Sequence, residues 1–274
     1  FQRYDQYGTM GCGIQSSIEL LRLCFLSFTV VPLKVIGTVS CIVGFYLACR
    51  LAQLLPKQSR DVLVPFLGKF YTRSCLACIG FIKIAWVHLP RADWDKPRGE
   101  ARAAGIVSNH CSWIDILIHM SRYFPSFVAR GGTEKLALIG PISQNMDCIY
   151  VEREGRSAGA KRMEASASAS RQSSSLRPML LFPEGTTTNG DFLLPFKTGA
   201  FLAGAPVQPV ILKYGKGRVS PAWESISAPR HIFLTFANPF HSVIAYELPV
   251  YVPTAEERKD PTLYAHNVRE YMVR

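Results

Sequence analysis

The 274-residue chain is short of acidic side chains: 20 Asp and Glu stand against 31 Lys and Arg, a formal net charge of +11 at pH 7. That deficit calls for an anionic partner, which phospholipid headgroups or a phosphorylated molecule such as coenzyme A would supply. Nucleic acid fits least, because the basic residues are scattered and there is neither an aromatic-basic stripe nor zinc-finger spacing. The chain also lacks any Asn-x-Ser/Thr sequon, so nothing argues for a luminal surface. Cys75-x-x-Cys78 has no second ligand pair and gives no structural zinc site. The eight cysteines form no secreted framework; Cys24, Cys41 and Cys49 lie inside apolar runs and are expected to be small buried residues in a reducing compartment. No internal repeat is visible. Since the first residue is Phe1 rather than Met, the native N-terminus is expected to lie upstream, with any targeting signal there unread.

What the chain has in quantity is apolar surface. Hydrophobic residues make up 48% and the mean hydropathy is +0.11, on the apolar side for a soluble enzyme, so membrane contact is expected. From Leu23 to Cys49 the only charged residue is Lys34, a stretch longer than the ~20 apolar residues a membrane span needs. Pro32 interrupts it, and two readings stand: one helix crossing from about Leu33 to Leu55, or two helices broken at Pro32 that enter and leave the same face. A second apolar run, Cys75 to Leu89, is broken by Lys83. With Trp86, Lys69, Arg73 and Arg91 at headgroup level it reads as interfacial; the alternative is a buried core helix.

Residues 1–89 therefore read as a membrane-anchoring helical segment and residues 90–274 as an α/β domain. Past the polar linker Pro90 to Arg102, short β-type runs alternate with helical stretches. The expected strands are Ala104–Val107, Phe127–Arg130, Cys148–Glu152, Met179–Phe182, Val207–Lys213, Ile232–Ala237 and Val243–Val252, with helices around Trp113–Tyr123 and Pro261–Met272. Such alternation predicts a mainly parallel central sheet flanked by helices, with ligands gathering at the carboxyl ends of strands. The Ala/Ser-rich segment 155–175 is expected to be a mobile connector.

Two clusters come directly after such β-type runs: Asn109-His110-Cys111-Ser112-Trp113-Ile114-Asp115 and Phe182-Pro183-Glu184-Gly185-Thr186-Thr187-Thr188-Asn189-Gly190. Acylating an alcohol needs a base for the hydroxyl proton, a group that orients the base, and donors for the oxyanion. His110 suits the first task and Asp115 the second. On a regular helix five residues would separate them by roughly 140°, so His110 is expected in the turn before a helix and Asp115 in its first turn, reaching back. Ser112-x-x-Asp115 is also a capping-box-like helix start, a structural reading compatible with the catalytic one. In the second cluster Glu184 is expected to accept hydrogen bonds from the acceptor's hydroxyls, Gly185 permits close backbone approach and Thr186 to Thr188 offer small donors; an ordinary polar turn is the bland reading. Gly155-Arg156-Ser157-Ala158-Gly159 matches a nucleophile elbow, but the charged Glu152-Arg153-Glu154 before it is wrong for a buried strand. Cys111 reads as a packing residue rather than a thiol nucleophile, and His88 and His119 as helix residues without partners.

Asn109-His110-x4-Asp115 together with Phe182-Pro183-Glu184-Gly185-Thr186 resembles the glycerolipid acyltransferase family, whose members acylate lysophospholipids and glycerol phosphates from acyl-CoA. Ile149-Tyr150-Val151-Glu152-Arg153 looks like that family's second block and Val207-Gln208-Pro209-Val210 like its fourth. The run Phe182 to Tyr214, with Leu248-Pro249-Val250-Tyr251 and Tyr264-Ala265-x-Asn267-Val268-Arg269, is similar to the plant lysophosphatidylethanolamine acyltransferases and their lysophosphatidylcholine relatives. The likeness runs from about Pro32 to Arg274.

It implies His110 as base, Asp115 as its orienting acid, Glu184, Gly185 and Thr186 in acceptor binding, and Arg153 on the acceptor's phosphate. It further implies acyl-CoA as co-substrate with no resident cofactor or metal, and a place on the endoplasmic reticulum membrane. Many members that make phosphatidic acid carry Arg after Glu-Gly-Thr, where this chain has Thr187; that favours a lysophospholipid with a headgroup over 1-acylglycerol-3-phosphate. Some relatives append calcium-binding EF-hands, and none is present up to Arg274. Lys197, Lys213 or the Lys161-Arg162 pair could meet the phosphates of coenzyme A. The competing readings are a serine lipase using Ser157 and a non-catalytic lipid-binding scaffold.

Overall fold

A computed structural model of the protein describes residues 3, 5–91, 101–130, 132, 135, 137–146, 148–151, 177–223 and 225–274. Arg153, Ser157, Lys161 and Arg162 lie outside these, as do the expected connector 155–175 and residues 92–100 of the linker. The strands are β1 (Lys83–His88), β2 (Gly105–Ser108), β3 (Ser126–Arg130), β4 (Ile149–Val151), β5 (Met179–Leu181), β6 (Val207–Tyr214) and β7 (Ser242–Glu247). The α-helices among the described residues are α1 (Ser17–Phe28), α2 (Val30–Ala52), α3 (Lys57–Ile79), α4 (Ile114–Arg122), α5 (Ile139–Asn145), α6 (Ala228–Ala237), α7 (Ala255–Lys259) and α8 (Pro261–Val273).

The strands form one sheet in the order β1-β7-β6-β2-β5-β3-β4. From β6 to β4 every pairing is parallel, β7 runs antiparallel to β6, and β1 is parallel to β7. Alternation along the central strands feeds two cores. Val107, Met179 and Val207 face a layer with Tyr264, Val268 and Tyr271 of α8. Ile106, Leu180 and Val210 face the other layer, with Leu76 and Ile79 of α3, Ile114 and Ile118 of α4 and Phe236 of α6. Strands buried on both sides read as unbroken apolar runs, as Gly105–Val107 and Met179–Leu181 do.

Two β-type runs take other forms. Ile232–Ala237, expected as a strand, is the second half of α6: Ser227 and Pro229 start a helix, and burial of His231, Leu234 and Thr235 beside exposed Ile232 and Phe233 follows a period near 3.6 rather than 2. Cys75–Leu89 is neither interfacial helix nor core helix. Its first part ends α3, Gly80 stops that helix at φ +119°, and Lys83–His88 becomes the edge strand β1. The sheet thus begins ahead of the boundary expected at residue 89, and His88 sits on a strand with its Nδ1 2.6 Å from Glu247 Oε2.

The N-terminal helices decide where apolar surface goes. The break falls at Thr29, and Pro32 sits within the first turn of α2, where its missing N–H costs no helical bond. Both α2 and α3 are long and apolar enough to cross a membrane, and little of α2 is buried inside the protein. They pack as a hairpin whose two open ends return to the sheet. Lys34 fixes that base: its Nζ donates to the carbonyls of Ile79 (2.7 Å), Asn238 (2.7 Å) and Pro239 (3.1 Å), tying α2 to the ends of α3 and α6. Gly68 of α3 lets α4 close in, since a Cβ there would lie 2.0 Å from the Phe124 ring.

Helix α1 is built inside out. Its ionic residues Glu19 and Arg22 turn inward to Tyr7 and Arg218, while Ile18, Leu21, Phe25 and Phe28 stand exposed along one stripe. Cys24, expected to be buried, shares that exposed face; Cys12 is exposed too, whereas Cys49, Cys75, Cys111 and Cys148 are buried.

Replacing Lys34 by Met keeps the stem and removes the three hydrogen bonds. The detergent-solubilised variant is expected to lose about 2 kcal/mol, seen as a melting temperature several degrees lower.

Candidate active site

Parallel pairing of β2 with β5 sets Val107 beside Leu181, so the two clusters leave the sheet side by side at its carboxyl edge. Backbone and one carboxylate then join them. Thr188 N–H donates to the His110 carbonyl (2.8 Å). Glu184 Oε1 accepts the N–H of His110 (2.9 Å) and Oε2 that of Leu194 (3.0 Å). Glu184 is 3% exposed; burial pushes its carboxyl up, and these two backbone donors pull it back. Gly185 (φ +68°) and Gly190 (φ +82°) make the turns. A Cβ at Gly185 would meet Lys197 Nζ at 2.3 Å, and one at Gly190 would meet Cys111 Sγ at 2.9 Å.

His110 precedes α4 and Asp115 lies in its first turn. The Asp115 carboxylate, fully buried, reaches back: Oδ2 lies 2.8 Å from His110 Nδ1 and accepts the N–H groups of Cys111 (2.6 Å) and Ser112 (2.9 Å). Only half of the capping box forms, because the buried Ser112 Oγ has no hydrogen-bond partner among the described residues. Bound this way, the imidazole carries its proton on Nδ1 and presents Nε2 as a base. Its ring stacks on Phe182 at 4.0 Å, and its side chain keeps 20% exposure. Cys111 is buried, and burial together with the charge of Asp115 drives its thiol upward, away from nucleophilic use.

Behind Phe182 stands His119, fully buried, edge-on to that ring at 6.2 Å, with neither ring nitrogen hydrogen-bonded to a described residue. Burial holds it down at about 4. Two further residues, missed in the sequence, complete the site. Asn109 extends the β2–β6 ladder past its last strand pair, its amide accepting Leu212 N–H (2.7 Å) and donating to the Leu212 carbonyl (3.0 Å). Tyr214, the last residue of β6, donates its hydroxyl to Asp115 Oδ1. Asn109 stood inside the first cluster, where its place before the histidine was the available signal; Tyr214 lay one residue beyond the expected strand, with no local signal. A cleft of about 460 Å³ opens beside Cys111 and Gly190, walled by Lys213, Tyr214, Ile244 and Tyr246. Gly185 is exposed and Thr186 half-buried, whereas Thr187 is buried.

Residues 96–213 match the family model described as Acyltransferase. Lysophospholipid acyltransferase LPEAT1 of Arabidopsis thaliana is 38% identical over 320 aligned residues, covering 99% of this chain and 80% of that protein. Lysophosphatidylcholine acyltransferase of Drosophila melanogaster is 29% identical, covering 95% of this chain and 50% of its own length. The fold is similar to the crystal structure of the 1-acyl-sn-glycerophosphate acyltransferase PlsC from Thermotoga maritima, with TM-score 0.59, 17% identity, and 93% and 94% of the two chains covered. The helix-flanked, mostly parallel sheet is thus a fold shared with a solved acyltransferase. The chain belongs to the lysophospholipid acyltransferase family.

Two measurements probe the site's framework. Gln at position 184 retains only one oxygen for two N–H donors, so Glu184→Gln should lower turnover by about 100-fold and stability by about 1 to 3 kcal/mol, read by steady-state kinetics and denaturant titration. His119 is held neutral by the fold, so the unfolded chain binds the extra proton between its ordinary 6.5 and about 4. Its contribution to stability is lost as pH falls through that window. His119→Leu should flatten the acid limb of unfolding free energy by about 1 kcal/mol per pH unit, with little change above pH of about 7.

Proposed function

We propose that this chain transfers a fatty acyl group from acyl-CoA to the free hydroxyl of a lysophospholipid, with His110 as general base. The observation that carries the reading is the imidazole itself: Nδ1 is committed to a fully buried carboxylate, and Nε2 has no hydrogen-bond partner among the described residues. Nε2 takes the hydroxyl proton as the hydroxyl oxygen bonds to the thioester carbonyl carbon. The tetrahedral intermediate collapses by breaking the carbon–sulfur bond, and the departing thiolate of coenzyme A recovers the proton from the imidazolium. Asp115 holds the ring's tautomer and stabilises the imidazolium. No covalent enzyme intermediate is required, which suits the inert setting of Cys111.

Arg153 would hold the acceptor's phosphate, a role supported by the family likeness. Glu184 acts by holding the acceptor loop and the His110 backbone together, with Gly185 and Thr186 at that loop's accessible surface. Thr187 stands where an Arg would bring a charge to a bare phosphate, and this absence together with the likeness to LPEAT1 supports lysophosphatidylethanolamine, then lysophosphatidylcholine, over 1-acylglycerol-3-phosphate. Lys213 and Lys216, both lining the cleft beside Gly190, are placed to meet the phosphates of coenzyme A.

The α2–α3 hairpin and the exposed stripe of α1 seat the enzyme in a bilayer, the endoplasmic reticulum membrane by family likeness. At 12 residues α1 is roughly 18 Å long, too short to cross and suited to lie in one leaflet.

With purified protein and radiolabelled acyl-CoA, His110→Ala should lower product formation by at least about 10³-fold and Asp115→Asn by about 10²-fold or more. Retention of full activity in His110→Ala sinks the mechanism. In a panel of lysolipids the ethanolamine lipid should lead, and a clear preference for lysophosphatidic acid would reverse the reading of Thr187. Carbene labelling from a lipid-borne diazirine should mark Ile18, Leu21, Phe25 and Phe28 and spare Glu19 and Arg22; labelling absent from α1 would remove it from the membrane.

A further inference from the structure

The two oxygens of the Asp115 carboxylate are served unequally. Oδ2 meets three donors, the His110 ring and the N–H groups of Cys111 and Ser112. Among the described residues Oδ1 meets one, the hydroxyl of Tyr214, which arrives from a strand 99 residues further along the chain. That hydroxyl is well supported. Asn109 pins Leu212 two residues before it, the Gly215 N–H donates to the Ser242 carbonyl (2.9 Å) one residue after it, and the ring lies edge-on to Phe81 at 6.0 Å. Burial, then the charge of Asp115, keeps the phenol protonated and therefore a donor. A phenylalanine would fill the same space against Phe81; only the oxygen reaches the carboxylate.

We propose that Tyr214 is a positioning residue for acyl transfer, holding the Asp115 carboxylate so that it orients His110 and setting how strongly His110 binds a proton. The proposal rests on the reading of His110 and Asp115 as the reacting pair. The physical basis is charge. A donor on Oδ1 draws negative charge away from Oδ2, so its removal leaves a more basic carboxylate beside the imidazole, and the imidazolium is favoured. The ring then stays protonated to higher pH and is a poorer base near neutrality. Without Tyr214 the carboxylate is also freer to turn about its bond, which misplaces Nε2. Among the described residues, the other ionisable groups around the pair are Cys111 on the same turn, His119 on α4 and Glu184 on the β5 loop, with Lys197 beyond them across Gly185; Tyr214→Phe leaves all of them in place.

The test is steady-state turnover of Tyr214→Phe in detergent micelles from about pH 5.5 to 9, with both substrates varied. Turnover at neutral pH should fall about tenfold, KM for each substrate should stay within about twofold, and the acid limb of kcat should move up by about half a pH unit or more. Unchanged turnover with an unmoved limb overturns the proposal. So does a fall in turnover with the limb fixed, which is what loose packing alone would give. Should Tyr214→Phe fail to fold, 3-fluorotyrosine at position 214 keeps the shape and strengthens the donor; the limb should then move down, and a fixed limb overturns the proposal. His110→Ala separates the two readings. Activity surviving in that variant defeats the pair itself, whereas an inactive His110→Ala beside a Tyr214→Phe that behaves as wild type defeats only the role of Tyr214.

Discussion

Parallel pairing of β2 with β5 is the constraint on which the site depends. Parallel neighbours end at the same edge of a sheet, so the segments leaving Ser108 and Leu181 must share space although more than seventy residues separate them. The Glu184 carboxylate exploits that proximity, spanning from the His110 N–H to that of Leu194. A buried acid is tolerable only when donors surround it, and here the donors are the backbone groups that have to be fixed. Asp115 obeys the same rule one layer deeper, its oxygens taken by the turn before α4, the imidazole and a phenol from β6. Three strands thereby converge on one imidazole.

Charge placement at the other end of the molecule obeys the same logic of solvation, with the signs of inside and outside exchanged. Glu19 and Arg22 of α1 point inward to partners and its outer face is apolar; Lys34 directs its ammonium to carbonyls at the foot of the hairpin. That arrangement makes sense where the outside is hydrocarbon, since a helix in water would turn those ions outward. Lys34 links the two regions, for the carbonyls it satisfies belong to α3 and to the chain leaving α6, both packed on the sheet. Apolar anchor and catalytic layer are therefore one body at that joint.

Much of this architecture is legible in the order of residues alone. The strands around Ile106, Leu180 and Val210 announce themselves because burial on both faces leaves no room for polar residues. The histidine and acid five apart, set where an apolar run gives way to a helix start, point to a pair reaching across a turn. Expectation and structure part where local preference is overruled. Ile232–Ala237 has the composition of a strand, but α6 needs His231, Leu234 and Thr235 on one face. Lys83–His88 looks like the tail of an apolar helix, yet Gly80 and the open edge of β7 make it an edge strand. Tyr214 is invisible in the sequence because nothing in a strand's last residue says which carboxylate its hydroxyl will meet.

By itself the sequence determined the class of fold and the apolar helices, because periodicity, helix starts and long apolar runs are local properties of a chain; its motif blocks pointed to the family and marked His110 and Asp115 as a candidate pair. Only the tertiary structure decided that Glu184 braces His110 rather than facing solvent, that the hairpin's ends return to one side, and that Asn109 and Tyr214 belong to the site. Those assignments depend on strand order, and strand order is settled by how the buried faces of distant segments fit together, which no single stretch of residues encodes.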